Sequence, residues 1–262
     1  MRTPTCERRA FTLIELFVVM AIIMILAGIV IAFFPNLQDE RRAANGASNL
    51  QGWLLLARNK AVQSRLATGL QLLESPDDSR YLTRFRFIQQ PDTYSGGRNG
   101  WVTSAQGNSV QLSVNVSDHA QQGDYIDIDY GVPRRIVGVG GNSVSLASPL
   151  PHPVRSRAFF RIHRQARPET GEALRELPDM VAVDTEECLP NPVPRQILFA
   201  PTGEVLNAGN EQRIVLWVMD MSGTSQPTLL AIEVGTGTIA AHPPAPGGDK
   251  YAFTKDARSS GL

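Results

Sequence analysis

The amino-acid sequence predicts an α+β fold, in which a long N-terminal helix precedes a β-rich, β-sandwich-like head. An apolar run over residues 11–34, continued by a stretch of helical periodicity over 35–67, predicts the helix. Short alternating segments separated by turn residues predict the head, in a chain with 22 glycines and 18 prolines among its 262 residues. The length fits one large or two small domains.

The composition excludes several classes of protein. Lys plus Arg and Asp plus Glu each number 25, so the formal net charge is zero. A neutral chain is poorly suited to bulk electrostatic binding of nucleic acid or anionic lipid, although local patches remain open. Hydrophobic residues at 42% and charged residues at 19% exclude wholesale disorder. The apolar residues do not form repeated long runs, which excludes a polytopic membrane protein.

A short, polar and basic segment, residues 1–10, precedes the apolar run over 11–34. At about 1.5 Å per residue, a helix over this run spans roughly 36 Å, enough to cross a hydrocarbon core of about 30 Å. The run is too long for the apolar region of an ordinary secretory signal. The basic residues before it favour a cytoplasmic N-terminus. We therefore expect a single-pass anchor in the inner (cytoplasmic) membrane, with a periplasmic or extracytoplasmic head.

Glu15 is the one charged residue in the apolar run. A charge in an apolar helix costs about 2.5–3.5 kcal/mol near the centre of the bilayer, so such a residue usually has a partner. Phe11 lies one helical turn earlier. A cut between Ala10 and Phe11 would give Phe11 a new α-amino group, which could pair with Glu15 of the same chain or of a neighbour.

The sequence RRAFTLIELFVVMAIIMILAGIV at residues 8–30 resembles the class III leader and first helix of type IV prepilins and pseudopilins. The resemblance implies that a prepilin peptidase/methyltransferase removes residues 1–10 by cutting after Ala10 and that Phe11 is then N-methylated. It also implies that Glu15 supports assembly with other pseudopilins or pilins. The family usually has Gly before the cut, where this chain has Ala10. Cys188 would be the one cysteine of the mature chain, and we expect it to be a buried thiol.

Apolar residues in the segment 35–67 recur at i, i+3 and i+4, which predicts an amphipathic helix lying on the head. The stripe consists of Ala43, Ala47, Leu50, Leu54, Ala57 and Ala61, and it is widened by Leu55, Leu56 and Val62. Pro35 is expected to kink the helix where the apolar run ends.

The sequence LQGWLLLARNKAVQSRLATGLQL at residues 50–72 resembles the GspH/FimT-type branch, in which such a helix runs straight into the first strand. The later strands of that branch are matched by residues 177–184, 197–205 and 229–243. Within them, a Phe-x-Pro-x-Gly hairpin is matched by Phe199, Pro201 and Gly203, and a glycine turn by Gly235 and Gly237. The resemblance implies a GspH-like head over residues 68–243.

A β-rich stretch at about residues 96–165 lies between these matches and is predicted to be an inserted β lobe. Alternation predicts short strands at 81–88, 109–116, 124–130, 134–139 and 143–148. Gly141-Asn142 is a candidate hairpin turn. Residues 244–262 are interpreted as a C-terminal tail, of which the last 14 residues are expected to be loose.

The search for chemistry finds no catalytic, metal or cofactor motif. Asp124, Asp127 and Asp129 could suggest a calcium site, but no EF-hand loop with a distal Glu follows, which favours a solvated face. His119, His152, His163 and His242 are scattered. No metal, no cofactor and no enzymatic activity are expected.

An arginine-rich stretch, RSRAFFRIHRQAR at residues 155–167, contains no acidic residue. In a strand, Arg157, Phe159, Arg161 and His163 would share one face. Such a face could hold phosphates or stack bases, and some FimT-type minor pilins are DNA receptors. The alternative is a solvated or partner-facing edge. The neutral chain favours that alternative, so nucleic acid is not expected to be a partner.

These observations lead to a functional hypothesis. The chain is expected to be a non-catalytic minor pseudopilin, a structural subunit of the pilus-like fibre of a type II secretion system. The alternative is a minor pilin of a type IV pilus that binds DNA or a surface ligand.

Overall fold

The computed structural model describes residues 13–39, 41–151 and 153–255, with the backbone alone over 30–39. Two helices and fifteen strands lie in these ranges. In chain order they are α1 Leu13–Asp39, α2 Arg42–Ser64, β1 Thr68–Glu74, β2 Tyr81–Gln89, β3 Val102–Gln106, β4 Ser109–Leu112, β5 Tyr125–Ile128, β6 Arg134–Gly140, β7 Ser143–Leu146, β8 Phe160–His163, β9 Arg167–Pro168, β10 Arg175–Glu176, β11 Val181–Asp184, β12 Gln196–Phe199, β13 Arg213–Asp220, β14 Thr228–Glu233 and β15 Ile239–His242.

One antiparallel sheet forms the frame of the head, with seven strands in the order β12-β1-β2-β11-β13-β14-β15. The short strands β9 and β10 also pair with β2. Strand β1 lies between β2 and β12, with Thr68 opposite Phe199. Helix α2 covers one face of this sheet. The expectation of a β-sandwich-like head is therefore wrong, because a helix stands where the second sheet of a sandwich would lie.

Helix α2 buries the predicted apolar stripe against the sheet, and Gly46 lies within that stripe. A Cβ atom added at Gly46 would lie 2.4 Å from Cγ1 of Val181, so glycine allows α2 to approach β11. The predicted widening of the stripe is wrong: Leu55, Leu56 and Val62 are 38–49% exposed. Successive residues turn about 100° around a helix, which directs these three side chains away from the sheet.

The two helices are separated after Asp39 and not at Pro35. Helix α1 continues through Pro35, and α2 begins at Arg42. A proline inside a helix removes one backbone hydrogen bond, and here the helix continues beyond it.

The opposite face of the sheet is covered in part by the end of the chain. Val215, Leu229 and Ala231 form a small cluster there with Trp217 and Tyr251. The rings of Tyr251 and Trp217 lie 6.2 Å apart, and the Tyr251 hydroxyl donates to the Glu187 carbonyl at 2.8 Å. The expectation of a loose end is therefore wrong for residues 249–255, because an aromatic side chain anchors them. Residues 256–262 lie outside the described residues.

A second sheet, in the order β3-β4-β7-β6-β5-β8, forms between β2 and β9 in the sequence. We call this part, residues 94–164, the lobe. Its two edges meet, because Val102 at the start of β3 exchanges backbone hydrogen bonds with Arg157 and Ala158, just before β8. The sheet thus closes around its own apolar core, to which Val110, Ile126 and Phe160 belong.

Several predicted strands of this region are confirmed with shifted ends. Strand β2 covers the predicted 81–88, and β6 and β7 flank a turn in which Gly141 has a φ of 60°. The strand predicted over 109–116 ends at Leu112, because β4 has pairing partners only up to that residue.

Candidate assembly site and the basic face of the lobe

The predicted processing site, Ala10 and Phe11, lies outside the described residues. Glu15 lies in the first turn of α1. All side chains over residues 13–29 are exposed, and the large hydrophobic ones among them are 44–74% exposed. The first helix thus presents an apolar surface that no described part of the chain covers.

The membrane span predicted over 11–34 is only partly within the described side chains, which begin at residue 13 and stop at 29. Over the described residues, no helix combines the length and the apolar character needed to cross a membrane.

Arg58 fastens α2 to two turns at the edge of the sheet. Its Nε donates to the Gly203 carbonyl at 3.3 Å, and its Nη2 donates to the Thr236 carbonyl at 3.1 Å. Gly237 has a φ of 62°, and a Cβ atom there would overlap the Gly203 carbonyl. The two glycine motifs noted in the sequence therefore meet in space. Nothing in the local sequence identified Arg58 as the residue that joins them.

The basic face of the lobe is neutralised from within. Strand β8 pairs with β5, which places Asp127 opposite Arg161. Asp127 is 1% exposed; it lies 3.0 Å from Arg161 Nη2 and 2.6 Å from His163 Nε2. Arg157 has a φ of 65°, which takes it out of the strand alternation, and its guanidinium lies 5.7 Å from the centre of the Trp101 ring. The three predicted residues therefore do not form one free basic face.

The acidic residues of the lobe are not a solvated face, and that prediction is wrong for two of the three. Asp124 and Asp127 are each 1% exposed. Asp124 Oδ2 accepts from Arg167 Nη2 at 2.5 Å, and its Oδ1 accepts from the Gln165 backbone N–H at 2.8 Å. Burial is tolerated because arginine partners from later strands supply the opposite charge. No group of three potential metal ligands occurs among the described residues.

Asp129 remains at the surface, where it begins a turn that the sequence analysis did not single out. Tyr130 follows it in this turn and is 74% exposed. Its ring stacks on Phe159 at 5.8 Å and lies 4.5 Å from the Arg161 guanidinium. A tyrosine between Asp129 and Gly131 was the available signal, but only the pairing of β5 with β8 brings these side chains together.

Cys188 is a buried thiol, as expected. Its Sγ donates to the Asp184 carbonyl at 3.0 Å and accepts from the Trp217 backbone N–H at 3.3 Å. Burial raises its pKa to about 12. The thiol is therefore protonated at neutral pH and is poorly suited to nucleophilic chemistry.

Comparisons with known proteins place the clearest signal at the N-terminus. Residues 7–31 match the family model for the prokaryotic N-terminal methylation motif. No curated protein and no solved structure matches the chain. The motif is the signal of type IV pilin-like precursors, and it implies processing by a prepilin peptidase and assembly with other pilin-like subunits. It usually implies membrane anchoring as well.

Proposed function

We propose that this protein is a non-catalytic minor pseudopilin, a membrane-anchored structural subunit of the pilus-like fibre of a type II secretion system. One observation carries the proposal: the methylation motif over residues 7–31 leads directly into α1, whose described side chains are all exposed. An apolar helix that its own chain leaves uncovered gains free energy when lipid or other apolar helices cover it. A subunit that moves from the membrane into a fibre finds both kinds of cover.

The resemblance of the head to the GspH/FimT-type branch supports a minor subunit. The contacts of Arg58 also support it, since they join the helix to two turns that carry the glycine motifs of that branch. In this proposal the peptidase cuts after Ala10, and Phe11 becomes the methylated N-terminus. The helix anchors the subunit in the inner membrane with the head outside.

Glu15 is proposed to act in assembly. A carboxylate in the apolar part of a helix does not favour insertion, because removing it should make insertion easier by roughly 2 kcal/mol or more. It can instead pair with the Phe11 amine of the same or a neighbouring subunit, in a medium that screens charges poorly. Loss of the carboxylate would leave that amine without its partner and would disfavour assembly.

The proposal is tested on the full chain in its native host. Peptide mass analysis is expected to show a mature protein that begins with N-methylated Phe11. Glu15→Gln should reach the membrane at the wild-type level, but crosslinking should recover less of the partner pseudopilins. Glu74→Gln, on the exposed end of β1, serves as the control variant.

Three results would contradict parts of the proposal. A mature start at Met1, or a cut beyond residue 30, would remove the pilin-like processing. Equal recovery of partners with Glu15→Gln would remove the role in assembly. Recovery of twitching or competence pilins, in place of secretion pseudopilins, would favour the type IV pilus.

A further inference from the structure

One turn of the lobe holds an aromatic side chain out from the surface. The hairpin between β5 and β6 reverses at Ile128–Gly131, where the Gly131 N–H donates to the Ile128 carbonyl at 2.9 Å. Asp129 and Tyr130 have φ values of 50° and 60°. Hairpin turns with two positive φ values usually have glycine at the second position, and here that position is a tyrosine that is 74% exposed. An L-residue larger than Asn or Asp rarely adopts this backbone, so its presence at an exposed tip points to use of the side chain.

The exposed tyrosine is fixed in place by residues beneath it. Its ring contacts Phe159 and the Arg161 guanidinium, and Arg161 is itself held by the buried Asp127. The Phe159 backbone N–H donates to Asp129 Oδ1 at 2.9 Å, which ties the turn to β8. Side chains ordered before binding lose little entropy when a partner arrives, and tyrosine and arginine are enriched among residues that dominate binding energy.

A cleft of about 320 Å³ opens beside this turn. Apolar side chains line much of it, namely Ile128, Val132, Leu150 and Val154. Val132 is 74% exposed at its rim. The charged residues of the lining are Arg134, Arg155 and Asp129. Two guanidinium groups thus face one carboxylate, one oxygen of which already accepts from Phe159.

The two arginines of the cleft have few partners within the described chain. Arg155 makes no ion pair there, and Arg134 makes one side-chain hydrogen bond, from Nη1 to Ser148 Oγ at 2.9 Å. The other cations of this region are engaged: Arg161 and His163 with Asp127, and Arg167 with Asp124. The charge left free is local, and it suits one or two carboxylates better than a run of phosphates.

From this geometry we infer that the cleft and Tyr130 form a docking surface for a different protein, which inserts an apolar side chain flanked by an acidic residue. The apolar side chain fills the cleft against Val132, and the carboxylate pairs with Arg155 and Arg134. Tyr130 packs over the inserted segment as a preordered aromatic contact. The inference concerns the lobe alone and does not depend on which fibre the subunit enters.

The experiment places a photoreactive benzoylphenylalanine at Val132 in the full chain, expressed in its native host. The same residue at Gln111, an exposed position on β4, is the control for non-specific crosslinking. We expect an adduct with another protein from Val132 only, and the crosslinked peptide should contain an Asp or Glu. Arg155→Glu should lower the adduct yield about tenfold. Arg98→Glu, a charge reversal at another exposed position of the lobe, should leave the yield unchanged.

A charge swap makes the test specific. Changing the identified acidic residue of the partner to Arg should restore the adduct in the Arg155→Glu background. The inference is overturned by the absence of an adduct at Val132, by an adduct formed only with a second copy of this chain, or by a nuclease-sensitive adduct. It is also overturned if Arg155→Glu and wild type give equal yields. Immunoblotting and resistance to limited proteolysis establish that all variants are present and folded.

Discussion

At the scale of single residues, Lys60 joins α2 to the segment between β9 and β10. Its ammonium lies 2.9 Å from a Glu169 oxygen and 2.6 Å from a Glu172 oxygen, with all three side chains 26–29% exposed. The hydrogen bond from Lys60 lowers the pKa of Glu172. The folded chain therefore binds this proton less readily than the unfolded chain. The interaction stabilises the fold above the ordinary pKa of glutamate and is lost as the pH falls through the lowered pKa.

Glu172→Gln is accordingly expected to lower the free energy of unfolding by about 0.5–1 kcal/mol at pH 7, since partly exposed ion pairs contribute little. Near about pH 3 the difference from wild type should disappear, because the wild-type carboxylate is then protonated too. Urea unfolding in detergent, followed by tryptophan fluorescence, measures both values. Glu204→Gln, at an exposed residue with no ion pair in the described part of the chain, is the control. A difference that is the same at both pH values would contradict the expectation.

The fate of single charges shows what sequence analysis could reach at this scale. Alternation correctly separated the buried Phe160 and Ile162 from Arg161, because that pattern is local. The state of Asp127 was not predictable, because its partner lies 34 residues later and depends on the pairing of β5 with β8. An aspartate whose partner is unknown is expected to be solvated, and here the arginine replaces the solvent.

At the scale of elements, the contact between α2 and β11 gives a test of packing. At Gly46, a Cβ atom would lie 2.4 Å from Val181 Cγ1, whereas at Gly52 it would meet no atom within 4 Å. Gly46→Ala should therefore destabilise the head by about 1–2 kcal/mol, because overpacking outweighs the gain in helix propensity. Gly52→Ala, on the exposed side of the same helix, should stabilise it by about 0.5–1 kcal/mol. Urea unfolding of the two variants measures these opposite effects, and the same sign for both would contradict them.

The same comparison separates what could be predicted about elements from what could not. The buried stripe of α2 follows from helical periodicity and was predicted almost residue by residue. The strand order was not, because β1 takes β12 as a neighbour and the pairing of Thr68 with Phe199 leaves no local signal. The extent of β4 depended on its neighbours β3 and β7 for the same reason.

At the scale of the whole molecule, the lobe leaves and rejoins the main sheet at adjacent strands. Gln89 at the end of β2 lies opposite Arg167 in β9, and Tyr94 exchanges two backbone hydrogen bonds with Ile162. The lobe also has its own core, separate from the one between α2 and the main sheet. These observations indicate that the head does not need the lobe in order to fold.

Replacement of residues 91–165 by Asn-Gly is therefore expected to leave a folded head. The new hairpin would join β2 to β9 through Gln90, Asn, Gly and Ala166, a loop length that hairpins accommodate. Arg167 would lose Asp124 and become solvated. Cooperative urea unfolding, reported by Trp53 and Trp217, and resistance to proteolysis measure the outcome. A head that is digested as readily as an unfolded chain would contradict the expectation.

The hydrogen-bonded pair of Tyr94 with Ile162 also decides how force passes through the subunit. Tension applied along α1 reaches the main sheet through the packing of α2 and the two hydrogen bonds of Arg58. No strand of the lobe is in series with that route, because both of its chain ends are attached at one place. In a fibre that pushes and retracts, the lobe would therefore be carried without being stretched, and the shape of its surface would not be constrained by mechanical strength.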